Sequence, residues 1–265
     1  MGAFDDMVVI VTGGALGMGR ATAVEFVKQG AAVVVADVNK QAGLEVQDEM
    51  RSFGRGIFLE ADVSESAACQ SIVRDSVREF GGVDILFNNV GIHPGDSYVS
   101  VVDLPEEMWD RILNVNLKSH FMMAKYSIPE MRKRGGGVII NNASVQGLQS
   151  MPGVAAYAAS KGGILSLNRQ LALDFAVDGI RVLAICPGTI DTPLVRQAIP
   201  AGVEDVETAV RQAGEGHPIG RIGTAQEIAN VVTFLASDRA SFMTGEYVCV
   251  DGGYMAQGAW SSQWR

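Results

Sequence analysis

Short apolar runs alternate along the chain with longer segments whose apolar residues recur at helical spacing. Seven such runs, residues 7–11, 31–36, 56–60, 83–87, 138–142, 181–186 and 247–250, read as strands. Their density suits strands buried on both faces, as in a parallel sheet. Residues 16–29, 41–53 and 64–80 read as helices, with Gly30 and Gly54 as stop signals. Two longer helical patterns follow at 105–134 and 153–177, and Pro129 is expected to bend or end part of the first. Strand–helix alternation with right-handed crossovers predicts a doubly wound α/β sheet with helices on both faces. Residues 191–220 break the rhythm with Pro193, Pro200, Pro218 and several glycines. An insertion past a strand's carboxyl end commonly covers a ligand crevice in such a sheet. No repeat, low-complexity tract or linker interrupts the pattern, so residues 1–265 are read as one domain.

Composition narrows the function. The chain is 48% hydrophobic and 19% charged, with a formal net charge of −9. An acidic surface repels phosphate backbones, which argues against nucleic acid as a partner. The start of the chain is acidic where a signal peptide is basic, and no apolar run is long enough to span a bilayer. The expected location is the cytoplasm, without membrane attachment. Cys69, Cys186 and Cys249 are odd in number and form no C-x-x-C pair, so free thiols are expected. His93, His120 and His217 lie far apart and form no metal-ligand spacing, and no metal is predicted.

The most informative local pattern follows the first strand. Thr12-Gly13-Gly14-Ala15-Leu16-Gly17-Met18-Gly19 joins a strand to a helix. Glycines there permit a tight turn, let backbone approach a pyrophosphate, and aim free N–H groups and the positive helix end at it. Asp37 ends the second strand. A carboxylate at that position accepts hydrogen bonds from both adenosine ribose hydroxyls and repels a 2′-phosphate. No Arg or Lys neighbours Asp37 before Lys40, so the cofactor expected is NAD rather than NADP.

With these residues in view, the chain resembles the short-chain dehydrogenase/reductase family. The turn is similar to that family's T-G-x-x-x-G-x-G. Asn88-Asn89-Val90-Gly91 resembles its N-N-A-G, and Asn114-Val115-Asn116-Leu117 resembles its N-V-N motif. Ser144, Tyr157-Ala158-Ala159-Ser160-Lys161 and Pro187-Gly188-Thr189-Ile190 follow in the family's order. Two departures stand out: Val90 replaces an alanine, and Asn142 replaces a common apolar residue and needs partners if buried. The resemblance implies a Rossmann-like, seven-stranded parallel sheet. It implies catalytic roles for Asn116, Ser144, Tyr157 and Lys161. It further implies cofactor contacts from Gly13, Leu16, Gly17, Met18, Gly19, Asp37, Asp62, Val63, Asn89, Gly91, Tyr157, Lys161, Pro187, Gly188, Ile190 and Thr192. Homotetramers or homodimers paired through the two long helices are also implied.

The residue types suit hydride transfer between an alcohol or carbonyl carbon and a nicotinamide. A free tyrosine, with pKa about 10, is a poor base near neutrality, and a nearby cation stabilises its phenolate. Tyr157 and Lys161 are four residues apart and share a helical face. By resemblance, Tyr157 is the acid/base and Lys161 also holds the nicotinamide ribose. Ser144 bonds the substrate oxygen, and Asn116 holds a water that links Lys161 to solvent.

The substrate side is less defined. His93, Ser144, Gln146, Met151, Tyr157 and Leu194 are candidate substrate contacts, with Pro94 and Val195 nearby. His93 and Gln146 suit hydroxyls, as in a polyol, sugar or cyclic alcohol, whereas Met151 and Leu194 suit an apolar ligand. Met108, Met122, Met123 and Met131 read as core or subunit interface. The tail 254–265, with Trp260 and Trp264, is expected to dock on a neighbouring subunit. Competing readings are an NADPH-dependent carbonyl or 3-oxoacyl reductase, a dinucleotide sensor without turnover, and a scaffold protein.

Overall fold

A computed structural model describes residues 2–197 and 205–257. Pro200 and the Trp260–Trp264 tail therefore lie outside the described residues. Seven strands, β1 (Val8–Thr12), β2 (Ala32–Asp37), β3 (Gly56–Glu60), β4 (Ile85–Asn88), β5 (Gly137–Asn142), β6 (Ile180–Pro187) and β7 (Tyr247–Val250), form one parallel sheet in the order β3-β2-β1-β4-β5-β6-β7. Each falls within about two residues of an apolar run. The run at β1, Val8–Thr12, is buried along its whole length, as a strand covered on both faces must be.

Helices clothe both faces: α1 (Gly17–Lys28), α2 (Lys40–Arg51), α3 (Ser66–Phe80), α4 (Glu106–Leu113), α5 (Ser119–Arg134), α6 (Ala155–Phe175), α7 (Pro193–Gln197), α8 (Val206–Glu215) and α9 (Ala225–Ala236). One apolar layer joins Phe26, Val46 and Met50 to Ile228, Val232 and Leu235 of α9. The other joins Cys69, Ile72 and Val73 of α3 to Met122, Met123 and Met131 of α5. These methionines are core residues, among the alternatives their spacing left open.

Three features differ from the sequence pattern. The segment 105–134 is helical from Glu106 to Arg134, but its winding loosens to a π turn at Asn114–Lys118 between α4 and α5. The chain stays helical through Pro129 to Arg134; proline forfeits one ladder bond there, and the buried Ile128 and Met131 flanking it keep the helix on the core. Helix α9 has no counterpart in the expected elements. It is started by a capping box in which Thr224 accepts from the Glu227 N–H while the Glu227 carboxylate accepts from the Thr224 N–H.

The order of strands sets the position of the site. The chain winds outward from β1 to β3, then returns to place β4 on the other side of β1. Loops leaving the carboxyl ends of β1 and β4 therefore diverge, and a crevice opens between them.

Candidate active site

The crevice at this switch point has a volume of about 680 Å³, within the range of small-molecule sites. Its floor is the glycine turn. Gly13 and Gly17 adopt left-handed φ of +63° and +54°. A Cβ on Gly19 would lie 2.1 Å from the Gly13 carbonyl oxygen, so only glycine lets α1 start this close to the turn. Leu16, the N-cap of α1, offers no side-chain hydrogen bond, and the first turn carries no acidic residue. The free N–H groups of that turn thus face the crevice, a suitable cradle for a diphosphate. Asn89 staples the turn to β4 by donating from Nδ2 to the carbonyls of Thr12 (3.2 Å) and Gly13 (3.0 Å).

Asp37 closes one end. Its carboxylate accepts from the N–H groups of Ala15 at 3.1 Å and Asn39 at 2.9 Å, which aims it along the crevice wall beside Leu16 and Val38. The cations near this end in sequence are engaged with acids: Arg20 with Glu49 at 2.8 Å and Lys40 with Glu60 at 3.1 Å.

Ser144, Tyr157 and Lys161 line the other end. Ser144 leaves β5 and caps a short turn, Val145–Gly147. A Cβ on Gly147 would lie 2.8 Å from the Lys161 carbonyl, so this glycine lets the turn seat directly against α6. Tyr157 and Lys161 stand one helical turn apart on α6, with Lys161 Nζ 5.6 Å from the Tyr157 ring centre. The ammonium donates to the Asn142 carbonyl at 2.8 Å.

The electrostatics depart from the pattern-level expectation that Lys161 lowers the Tyr157 pKa. Burial is the largest influence on the phenol and pushes it up to about 12, partly offset by a hydrogen bond with Ser144. Burial likewise pushes the Lys161 ammonium down to about 8. Burial is the first cause in both cases, so desolvation of the charged form dominates both groups.

Asn116 sits behind this end, fully buried in the π turn. Its Oδ1 accepts from the Ile92 N–H at 2.8 Å, and its Nδ2 donates to the Ile92 carbonyl at 3.0 Å and to Ser160 Oγ at 3.2 Å. Between them, Gly91 leaves room: a Cβ there would lie 3.2 Å from Lys161 Nζ and 3.9 Å from Asn116 Oδ1.

The structure gathers most of the sequence-predicted residues. Gly13, Leu16, Gly17, Met18, Asp37, Asp62, Val63, Asn89, Gly91, Pro187, Gly188, Ile190, Thr192 and Leu194 all line the crevice. Gly19 and Asn116 support it from behind. His93, Gln146 and Met151 are not among the lining residues; Met151 is half exposed, and Gln146 Oε1 is buried without a partner among the described residues. Asn142 is buried, and its need for partners is met in part: Nδ2 donates to Asn89 Oδ1 at 2.9 Å, while its own Oδ1 has no partner among the described residues. Sequence reasoning missed Arg111, Val115 and Ile92, which also line the crevice. It also missed His217, whose Nε2 accepts from the Thr189 N–H at 3.1 Å and braces the Pro187-Gly188 turn.

Comparison with known proteins identifies this architecture. A family model described as enoyl-(acyl carrier protein) reductase matches residues 13–255. The chain belongs to the short-chain dehydrogenase/reductase family. Within this family, it is 37% identical to a cyclohexanol dehydrogenase of Acinetobacter sp. (strain SE19), over 96% of this chain and 97% of that one. The crystal structure of levodione reductase matches with a TM-score of 0.92 and 33% identity, covering 96% of this chain and 100% of that one. The ligand-free aldohexose dehydrogenase of Thermoplasma acidophilum matches with a TM-score of 0.88 and 35% identity, covering 97% and 96%. Like these short-chain dehydrogenases/reductases, the chain is an oxidoreductase of a fold that binds a nicotinamide dinucleotide. Among the described residues, no helix is long and apolar enough to cross a membrane.

Proposed function

We propose that the chain is an NAD(H)-dependent oxidoreductase that interconverts a secondary alcohol and its ketone, with Tyr157 as acid/base. The observation that carries this reading is the pairing of two ends in one crevice. A carboxylate, Asp37, whose sequence neighbours Arg20 and Lys40 are paired with Glu49 and Glu60, stands at one end, and a Ser144–Tyr157–Lys161 group stands at the other.

The residues present fit the cofactor. The glycine cradle and the open N-terminus of α1 suit its diphosphate, Asp37 its adenosine ribose, and Asp62 and Val63 its adenine. Asn89, Gly91, Pro187, Gly188, Ile190 and Thr192 suit its central and nicotinamide parts. When bound, the nicotinamide supplies or accepts the hydride.

The protein's own residues handle the oxygen and its proton. Ser144 donates to the substrate oxygen and stabilises its developing charge. Tyr157, held protonated near neutrality, gives its proton to that oxygen during reduction and takes it back during oxidation. Lys161, charged below about pH 8, offsets negative charge on the phenolate. Asn116 fixes the Ile92 backbone beside Gly91 and so keeps the space around Lys161 open.

A cyclic alcohol or ketone is the favoured substrate class, because relatives named for cyclohexanol and levodione match nearly end to end. Polyols and sugars remain within the reading, given the aldohexose dehydrogenase match. Assembly into a homodimer or homotetramer is part of the proposal, supported by an apolar groove of Leu113, Leu117, Phe121 and Leu167 beside α6. A cytoplasmic setting is also part of it, consistent with the free thiols Cys69, Cys186 and Cys249.

The test is a panel of cyclic alcohols, diols, sugars and hydroxysteroids, followed by reduced-nicotinamide absorbance with NAD and NADP in parallel. Turnover with NAD is expected on one group. Turnover confined to NADP would overturn the ribose assignment, and NAD binding with silence across the panel would favour a sensor.

A further inference from the structure

The loop between β4 and α4 folds back over the catalytic tyrosine. The His93 ring stacks on Tyr157, with 4.2 Å between ring centres and 9° between planes. Its other contact is Tyr98, at 3.9 Å and 21°. The Tyr98 hydroxyl also lies 2.8 Å from His93 Nδ1. A parallel bridge between Val99 and Val154 ties this loop to the turn that leads into α6, just before Tyr157. Gly153 adopts a left-handed φ of +81° in that turn, and the Tyr98 backbone passes 3.5 Å from where its Cβ would lie. Three aromatic rings thus form a column anchored to backbone at both ends.

We propose that His93, held by Tyr98, is a positioning residue for proton transfer by Tyr157: the column fixes the direction of the phenol and shields its face from water. The inference rests on the reading of Tyr157 as the acid/base.

Several features suit His93 to that task. Burial and the Lys161 charge push its pKa down to about 4, so the ring is neutral wherever the enzyme works near neutrality. A neutral ring stacks on the phenol without adding a second cation beside Lys161. Its Nε2 is buried and has no hydrogen-bond partner among the described residues. The ring is therefore held by its faces and by Nδ1, not by that edge. The ionisable groups facing Tyr157 are Lys161 from its own helix and His93 and Tyr98 from the loop; Ser144, after β5, adds a hydrogen bond. Of these, His93 contributes bulk and no charge near neutrality, and the Tyr98 hydroxyl, once ionised, pushes the Tyr157 pKa further up. Removing the His93 ring admits water to the phenol and lowers the cost of ionising it.

The competing role for His93 is direct binding of a substrate oxygen, and three variants separate the two. His93→Ala removes the stack, His93→Phe restores a ring without the imidazole, and Tyr98→Phe removes only the hydroxyl that holds it. Each is assayed for kcat, KM, NADH binding and the pH profile of kcat/KM, with the substrate found by the panel. His93→Ala is expected to lower kcat about tenfold or more, the scale set by loss of reactive alignment. Its profile for alcohol oxidation is expected to rise at lower pH, while NADH binding stays unchanged. His93→Phe is expected to recover most of kcat and to return the profile toward the parent. Tyr98→Phe is expected to fall between them. Phenolate absorbance, taken as the difference between each variant and its Tyr157→Phe derivative, reads the same shift without turnover. The proposal is overturned if His93→Phe is as impaired as His93→Ala, or if the loss appears only in KM, since imidazole chemistry toward substrate then explains the residue. It is also overturned if His93→Ala matches the parent in kcat and pH profile. Failure of the broader reading looks different: Tyr157→Phe would then keep its turnover.

Discussion

Replacing Asp37 by Asn tests the cofactor assignment with the least disturbance to the fold. The substitution preserves shape and one acceptor oxygen, and it removes one negative charge. In the parent, the carboxylate is held by the N–H groups of Ala15 and Asn39 at 3.1 and 2.9 Å, so it keeps its place as the crevice wall. Two effects follow for a dinucleotide. Hydrogen bonds from ribose hydroxyls to a charged acceptor contribute about 1.5–3 kcal/mol, against about 1 for a neutral one. The difference, about 0.5–2 kcal/mol, is a two- to thirtyfold weaker affinity for NADH at about 1.4 kcal/mol per tenfold. For NADPH the carboxylate is instead a repulsive neighbour. At about 5 Å and an effective dielectric of about 20, two unit charges repel by about 3 kcal/mol. Asp37 is only half-buried, so roughly half of that survives solvent screening. NADPH binding should therefore tighten about tenfold, and the NADH preference should fall by roughly two orders of magnitude. Fluorescence titration of NADH and NADPH against parent and variant gives both affinities directly. A preference ratio that changes by less than about threefold would refute the reasoning, because it would mean that Asp37 does not face the ribose.

The remaining predictions address the catalytic end and the core. Gly91→Ala places a methyl 3.2 Å from Lys161 Nζ and is expected to lower kcat/KM about tenfold while leaving the melting temperature nearly unchanged; full activity in steady-state assays would contradict it. With the Lys161 pKa near 8 and that of Tyr157 near 12, both groups are protonated at pH 7. Carbonyl reduction should thus be flat with pH up to about 8 and fall above it, whereas alcohol oxidation should rise with pH; a reduction profile flat to pH 10 would exclude a role for the lysine charge. The same shift means that the folded protein binds fewer protons than the unfolded chain between about 8 and 10.5, so this group's contribution to stability rises with pH in that window. Asn141→Leu cuts a buried chain in which Asn88 donates to Asn141 at 3.0 Å and Asn141 to Asn168 at 3.1 Å. Two polar atoms lose their partners, and urea unfolding should show a loss of about 2–4 kcal/mol; a loss below about 1 would mean that the neighbours find new partners.

How much of this was legible beforehand depended on whether the signal was local. Strands buried on both faces announce themselves as apolar runs, and the glycine turn does so because no other residue tolerates the contact between Gly19 and the Gly13 carbonyl. Helix α9 lies outside the expected elements, although its Thr224–Glu227 capping box is a local signature visible in the sequence. The π turn at Asn114–Lys118 is not legible in the same way. It is held by Asn116 gripping the Ile92 backbone and Ser160, partners far away in the chain. The four-residue spacing puts Tyr157 and Lys161 on one face, yet their pKa values follow first from burial, which spacing does not encode. His93 was recognisable only as a flanking residue. Its stack between Tyr98 and Tyr157 depends on the path of a loop pinned at Val99 and Val154.

The central claim is that Tyr157 moves the proton in an NAD-dependent reaction. The most direct measurement is the single-turnover oxidation of reduced nicotinamide by a ketone substrate in the parent and in Tyr157→Phe, with NADH binding measured on the same samples. The account predicts unchanged NADH affinity and a rate lowered by at least about a hundredfold, the usual contribution of a positioned acid. A variant that binds NADH normally and turns over within about tenfold of the parent would contradict it.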